Sequence, residues 1–460
     1  MKINNLLAIA LVAASVSFTA CKKDKVTTEP PVAGEEVLTG NITTSKTLNA
    51  NTKYTLQGYV YVKNGATLTI PAGTVIVGAP KSATADAGTL IIAMGAKIDA
   101  RGTAASPIVF TSSKPAGQRA AGDWGGIILL GKAKVNTAGG TDYIEGVPVN
   151  DDTKFGGSDD SDNSGTMQYV RIEYPGIALS LNNEINGLTF GAVGRGTTID
   201  HIQVSFSGDD SFEWFGGTVN AKYLISQGSV DDDFDMDKGF SGNLQFLVAQ
   251  RDPRFADQSG SNGIECDNDP STTGNPLLVP NTRPVISNMT LVGPNNAAGQ
   301  HVQFKNGNQW RRASKFVLRN AVIVGFPNSG IYIDGENTAL ALLNGSSEFS
   351  DNLVHSNNAA NTFLAGNGAT SFTTATLTTF AGTKNNTTLA TAADAKLTDA
   401  FSATAPNFLP ATGSPASSGA NFAGTDLSNS FFTAVTYKGA FGTTDWTTGW
   451  ANWASQTKTY

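Results

Sequence analysis

Two neighbouring segments, 208-GDDSFEWFGG-217 and 230-VDDDFDMDKGFSG-242, interleave carboxylates with Phe, Trp and Met. Residues 209–269 hold 13 of the chain's 38 acids and only four Lys or Arg. Like charges at close range destabilise a fold unless a cation, protons or a positive ligand offset them. Three chemistries use such an array. An oxygen-only ligand set suits calcium, which takes about six to eight donors; the candidate ligands are Asp209, Asp210, Asp231, Asp232, Asp233, Asp235, Asp237, Asp267 and Asp269. Two carboxylates about 5 Å apart match the spacing of retaining glycoside cleavage, one attacking and one donating a proton. Glu213 and Asp235 are that candidate catalytic pair, with Glu265 next in line. The third use is structural: Asp side chains bond turn backbones, and Arg251 or Arg254 folds over the acids.

Elements that hold these groups follow from a repeat. Short runs with period-two alternation recur, among them 59-YVYV-62, 67-TLTI-70, 89-TLIIA-93, 126-GIILLG-131, 202-IQVSF-206 and 321-AVIVG-325. Each has strand length, and Gly, Asn, Asp and Ser separate them. Phe212 aligned on Phe234 superposes the two acidic segments at a spacing of 22 residues. Apolar neighbours then turn Phe212 and Trp214 inward and Glu213 outward, and likewise Asp235 and Glu265. These three stack on one face, with Gln303 and Tyr332 continuing the row. Asp210 and Asp232 form a second row at the strand's mouth, and Asp237, Asp267 and Asp269 flank its other edge. Asn243, Asn288, Asn320 and Asn352, with His201, are expected at one turn position. A period near 22 with stacked short strands predicts an all-β chain folded as a parallel β-helix, a solenoid whose coils bury a shared core. The Asn64-Gly65 pair leaves room for one hairpin.

The flanks read differently. Residues 1–20 have a basic start, an apolar run too short to span a bilayer, and small residues before Cys21. The Phe18-Thr19-Ala20-Cys21 end resembles a bacterial lipobox, which makes Cys21 the lipidated residue and membrane anchor. Residues 21–38 read as a flexible tether, 39–430 as the β-helix and 431–460 as an aromatic C-terminal cap. With Cys21 lipidated, Cys266 has no disulfide partner. A net charge of −7 without basic clusters excludes nucleic acid as partner.

The segments 65-GATLTIPAGTVIVG-78, 96-AKIDARGTAASPIVFTS-112, 123-DWGGIILLGKAKVN-136, 168-QYVRIEYPGI-177 and 200-DHIQVSFSGDDSFEWFGG-217 carry a family resemblance. The chain resembles the right-handed parallel β-helix, pectin-lyase-like superfamily, and within it an outer-membrane lipoprotein group of Bacteroidota. The resemblance implies a fold and a location at the outer membrane. By analogy it also implies an extended polysaccharide as partner.

Smaller signals are weighed against this. The 208-GDD-210 triplet resembles that of β-helix polygalacturonases, but their Gly-His-Gly and Arg-x-Lys do not occur at matching places. The 160-DSDNSG-165 stretch has calcium-loop spacing, yet Arg171 stands where an EF-hand needs Glu, so it reads as a polar turn. A helix is expected around 390–401, and Trp446, Trp450 and Trp453 as a plug over the last coil. The sequence thus supports a lipid-anchored protein that binds a polymer on an acidic, calcium-organised face. Its alternatives are a lyase or glycosidase working from Glu213, Asp235 and Glu265, or a structural accessory to a TonB-dependent outer-membrane transporter.

Overall fold

A computed structural model describes residues 34–180, 183–271 and 274–460. Cys21, the leader and most of the expected tether lie outside them. Among the described residues, 26 strands join one ladder in which every pairing is parallel. The chain is a parallel β-helix, as the alternation predicts. The first strand, Gly34–Ile42, already pairs with Thr52–Val62 from Gly34 onward. Regular structure therefore starts inside the stretch expected to be tether. The Asn64-Gly65 pair makes a corner with both residues at positive φ, between strands that pair with other coils, and no hairpin forms there.

One coil shows how the sequence builds three faces. Strand Thr198–Ser205 bends at His201, whose φ is +54°. Residues 198–200 lie on a first face, 202–205 on a second, and Phe212–Phe215 on a third. The next coil repeats this in Asn220–Gln227 and Phe234–Asp237, paired Ile202 to Leu224 and Phe212 to Phe234. Inward side chains from all three faces form one continuous core, among them Ile202, Phe212, Trp214, Leu224, Phe234 and Met236. Cys266 sits fully buried in that core.

The corner between the first two faces is a column of left-handed residues, Tyr169, His201, Tyr223, Phe246, Asn288 and Asn320, with φ between 49° and 62°. Such a conformation costs a non-glycine residue about 1–2 kcal/mol. Ring stacking offsets it: successive pairs from Tyr169 to Phe246 lie 4.3, 4.3 and 5.0 Å apart and within 21° of parallel. Asn288 and Asn320 occupy the corner as expected, but Asn243 and Asn352 do not. Phe246 takes that place in one coil and Asp351, with φ +59°, marks the other corner. An aromatic stack serves the same turn as an Asn, so the Asn pattern alone misplaced the register.

The C-terminal third departs most from expectation. Helices form at Glu336–Leu343 and Thr374–Gly382, whereas around 390–401 there is only a 3-10 turn, Ala392–Ala395, and a short strand. Leu377 and Ala381 extend the core beyond the last-coil strand Phe363–Ala365. The three tryptophans do not sit over the last coil. Residues from 421 onward run back along the solenoid as a strap: Asn421 bonds Asn320, Tyr437 meets Asn288, Asn452 meets Gln203, and Lys53 reaches the Tyr460 carbonyl. Outward residues of the second face are apolar in several coils, and the strap buries Ile225, Val248, Val292 and Val322 with Trp450. A row of outward apolar side chains needs a cover, and Trp450 supplies part of it.

Candidate functional site

With the strap lying along the second face, the acids line the third. The row pairs Thr189 with Glu213, Glu213 with Asp235, Asp235 with Glu265, Glu265 with Gln309 and Gln309 with Tyr332. Strands in such a ladder lie about 4.8 Å apart. The expected place of Gln303 is corrected to Gln309. Val302-Gln303-Phe304 mimics the inward–outward–inward step, but Val302 is 84 % exposed in a loop. The true strand, Asn306–Trp310, turns the polar Asn308 inward. There its amide accepts the Trp310 indole N–H at 2.5 Å and donates to the Gly330 carbonyl at 2.7 Å.

Beside this row runs a second ladder. Asn186 Oδ1 accepts the Asp210 N–H at 3.2 Å, Asp210 Oδ1 accepts the Asp232 N–H at 2.7 Å, Asp232 Oδ1 accepts the Asn262 N–H, and Asn262 Oδ1 accepts the Asn306 N–H at 3.2 Å. One side-chain oxygen per coil thus satisfies one turn amide. At the ends of the ladder the remaining amide nitrogen donates into the outer row, Asn186 to Glu213 and Asn306 to Gln309 at 3.0 Å. Between these ends, Asp210 and Asp232 have no such hydrogen to give when ionised.

The result is a set of close carboxylate groups. Asp210, Glu213 and Asp235 place ligand oxygens within 4.8 Å of one another, as do Asp232, Asp235 and Glu265, and Asp209, Asp210 and Asp231. These clusters could hold a metal ion. Asp235 is shared by two of them, and its Oδ1 is buried with no hydrogen-bond partner. Burial raises every carboxyl here, and the neighbours add to it: Asp231 acts on Asp209 and Asp232, Asp209 on Asp210, Glu145 on Glu213, and Glu265 on Asp235. All five are held well above the usual carboxylate range. Burial and then Asp257 raise Asp231 to about 7, and burial and then Asp267 raise Asp237 to about 7. Glu265 also reaches about 7, burial outweighing the pull of Arg311.

The other candidates have different partners. Asp233 points away from the row, accepting from Ser226 Oγ at 2.5 Å and pairing with the buried Arg251 at 3.0 Å. Asp267 is clamped by Arg311 Nε at 2.8 Å and Arg312 Nη1 at 2.7 Å, and Arg311 also pairs with Glu265. Asp269 accepts from Ser271, closing a turn. Asp237 accepts the Lys238 N–H, and Lys238 reaches Asp142 at 2.9 Å. Arg254 pairs with Asp252, away from the row. In the 160–165 stretch, Asp160 pairs with Lys134 at 2.7 Å and Ser164 donates to Asp162 at 3.4 Å. His201 is a corner residue, and His355 accepts the Gly325 N–H at 3.2 Å.

The sequence reading missed Glu145, Asn186, Asn262, Asn306, Gln309, Arg311 and Arg312. Glu145 arrives on an insertion whose antiparallel pair, Thr141–Tyr143 with Lys154–Gly156, folds over the outward Leu130 and Phe215. The two arginines were findable, since they directly follow the ladder strand at Trp310 as Lys238 follows Asp237.

The site is thus a row of clustered carboxylates on one face of a solenoid of stacked parallel coils. Residues 40–403 match the pectate-lyase-like β-helix domain, and the chain belongs to that family. No curated protein and no solved structure matches it.

Proposed function

We propose that the third face binds an extended polysaccharide through divalent cations seated in the carboxylate clusters, calcium being the first candidate. The observation that carries this is the sharing of Asp235 between two carboxylate triads where the ladder's end coils use amide donors instead. Oxygen-only ligands favour a hard cation, and calcium tolerates irregular geometry better than magnesium. Asp235, Asp237 and Glu265 keep part of their surface in solvent, so a bound cation would have open positions for polymer oxygens. The lipobox-like end at Cys21 supports, as part of this proposal, a lipid-anchored position at the outer membrane, where the protein would serve a TonB-dependent transporter.

The test is calorimetric titration with calcium of wild type and Asp235→Asn, followed by polysaccharide binding with and without chelator. Calcium binding lost in Asp235→Asn, with polymer retained only when calcium is present, is the expected result. Polymer binding indifferent to chelator would overturn the cation's role.

A second reading makes the same groups catalytic. It is favoured by carboxyls held near neutrality, Asp231, Asp237 and Glu265, which suit general acid–base work. Glu213 and Asp235 would be the pair, and product release abolished by Glu213→Gln is its test.

A further inference from the structure

A cleft at the corner between the second and third faces is a separate place for a sugar. Corner residues there are Tyr174, Phe206 and Gly228, all at positive φ and in register from coil to coil. Tyr174 and Phe206 stack at 5.4 Å and 11°. The stack then stops, because the third member is glycine. A Cβ at Gly228 would lie 2.9 Å from two carbons of the Phe206 ring. Around this interrupted stack lies a cleft of about 410 Å³, lined by Phe206, Gly228, Asp252, Arg254 and Phe255 with the strap's Gln456.

Its polar groups are paired and flat. Arg254 holds Asp252 through two parallel bonds, Nε to Oδ1 at 2.9 Å and Nη2 to Oδ2 at 2.6 Å. The same guanidinium lies 5.1 Å over the ring of Phe255, which is 49 % exposed. An aromatic face beside an ordered carboxylate–guanidinium pair suits a ring with an apolar C–H face and an edge of hydroxyls. The volume falls within the range of small-ligand sites, about 300–1,000 Å³.

We propose that this cleft binds one pyranose unit, its C–H face on Phe206 and its hydroxyls on Asp252 and Arg254. The cleft borders the acidic face, since the loop carrying Asp252 to Phe255 continues to Ser259, which donates to Asp231 at 3.3 Å. It rests on the polysaccharide reading only for the idea that this sugar belongs to the same polymer.

The experiment is saturation-transfer NMR on the full chain with methyl glucopyranoside, methyl galactopyranoside and methyl galactopyranosiduronate. At least one should receive transfer on the protons of one ring face. Affinity should fall by about tenfold or more in Arg254→Ala, a solvent-exposed change, and in Phe206→Leu, and stay unchanged in Asp235→Asn. Transfer to none of the three, or affinity surviving Arg254→Ala and Phe206→Leu, overturns the proposal. Binding lost only in Asp235→Asn also overturns it and assigns the sugar to the acidic face. Binding in the cleft together with no cation-dependent polymer binding supports the cleft and counts against the reading of that face.

Discussion

Asp210 Oδ1 accepts the backbone N–H of Asp232 from the neighbouring coil at 2.7 Å, and Asp232 repeats the contact one coil further on. Each aspartate does with one oxygen what an asparagine would do. Its second oxygen adds charge to a row that already holds Glu213, Asp235 and Glu265.

Replacing that charge should therefore stabilise the metal-free protein. Asp232→Asn keeps the accepting oxygen and supplies a donor toward Asp235. We expect a gain of about 1–2 kcal/mol at neutral pH without cations, read by thermal or denaturant unfolding. Under saturating calcium the gain should vanish or reverse. A loss without cations would show that the row is not under electrostatic stress.

Protonation gives the pH dependence. Asp231, Asp237 and Glu265 are raised to about 7, and Asp233 to about 6 by burial against the pull of Arg251. The folded state then binds more protons than the unfolded one between about pH 4 and pH 7, so stability falls as pH rises through that window. The contribution is fully present below the carboxylates' unfolded values and lost above their folded ones. Melting temperature in chelator should decline from pH 4.5 to pH 8, and calcium should flatten the decline. A rise across this range would contradict the raised values.

The Arg251–Asp233 pair is fully buried, so breaking it differs from replacing it. Arg251→Met leaves Asp233 uncompensated and should cost about 3–5 kcal/mol. The double change Arg251→Met with Asp233→Leu should recover most of that loss. Unfolding curves of Arg251→Met, Asp233→Leu and the double variant complete the cycle with wild type; equal losses in the Arg251→Met and double variants would mean that packing, rather than charge, decides.

Trp450 is 1 % exposed, stands edge-on to Tyr169 and His201, and donates its indole N–H to the Trp446 carbonyl at 2.8 Å. Trp450→Ala should cost about 3–5 kcal/mol and expose the second face to hydrophobic dyes. Unchanged melting and dye binding would show the strap to be dispensable.

Much of the fold was legible because its signals are periodic. Phe212–Trp214 and Phe234–Met236 alternate around an outward acid, and both their pairing and their 22-residue step appear in the structure. The row failed at Gln303 because the real strand carries an inward amide, Asn308, which no hydropathy pattern reveals. The corner failed at Phe246 because ring stacking substitutes for asparagine chemistry. Glu145 and Asn186 were invisible because they reach the acids from other parts of the chain, Glu145 across the insertion and Asn186 from the preceding coil.

The strap has a consequence for how this solenoid comes apart. A stack of coils touching only its neighbours can fray from either end, one coil at a time. Here the last residue meets Lys53 across a sequence separation of 407, and Arg119, Arg171, Gln203, Gln227 and Gln245 all hold strap carbonyls along the way. These contacts couple early coils to late ones, and the one at Lys53 closes only after residue 460 has been made. The array should then open as a single cooperative unit, and its final closure should be slow, as for other folds dominated by distant contacts.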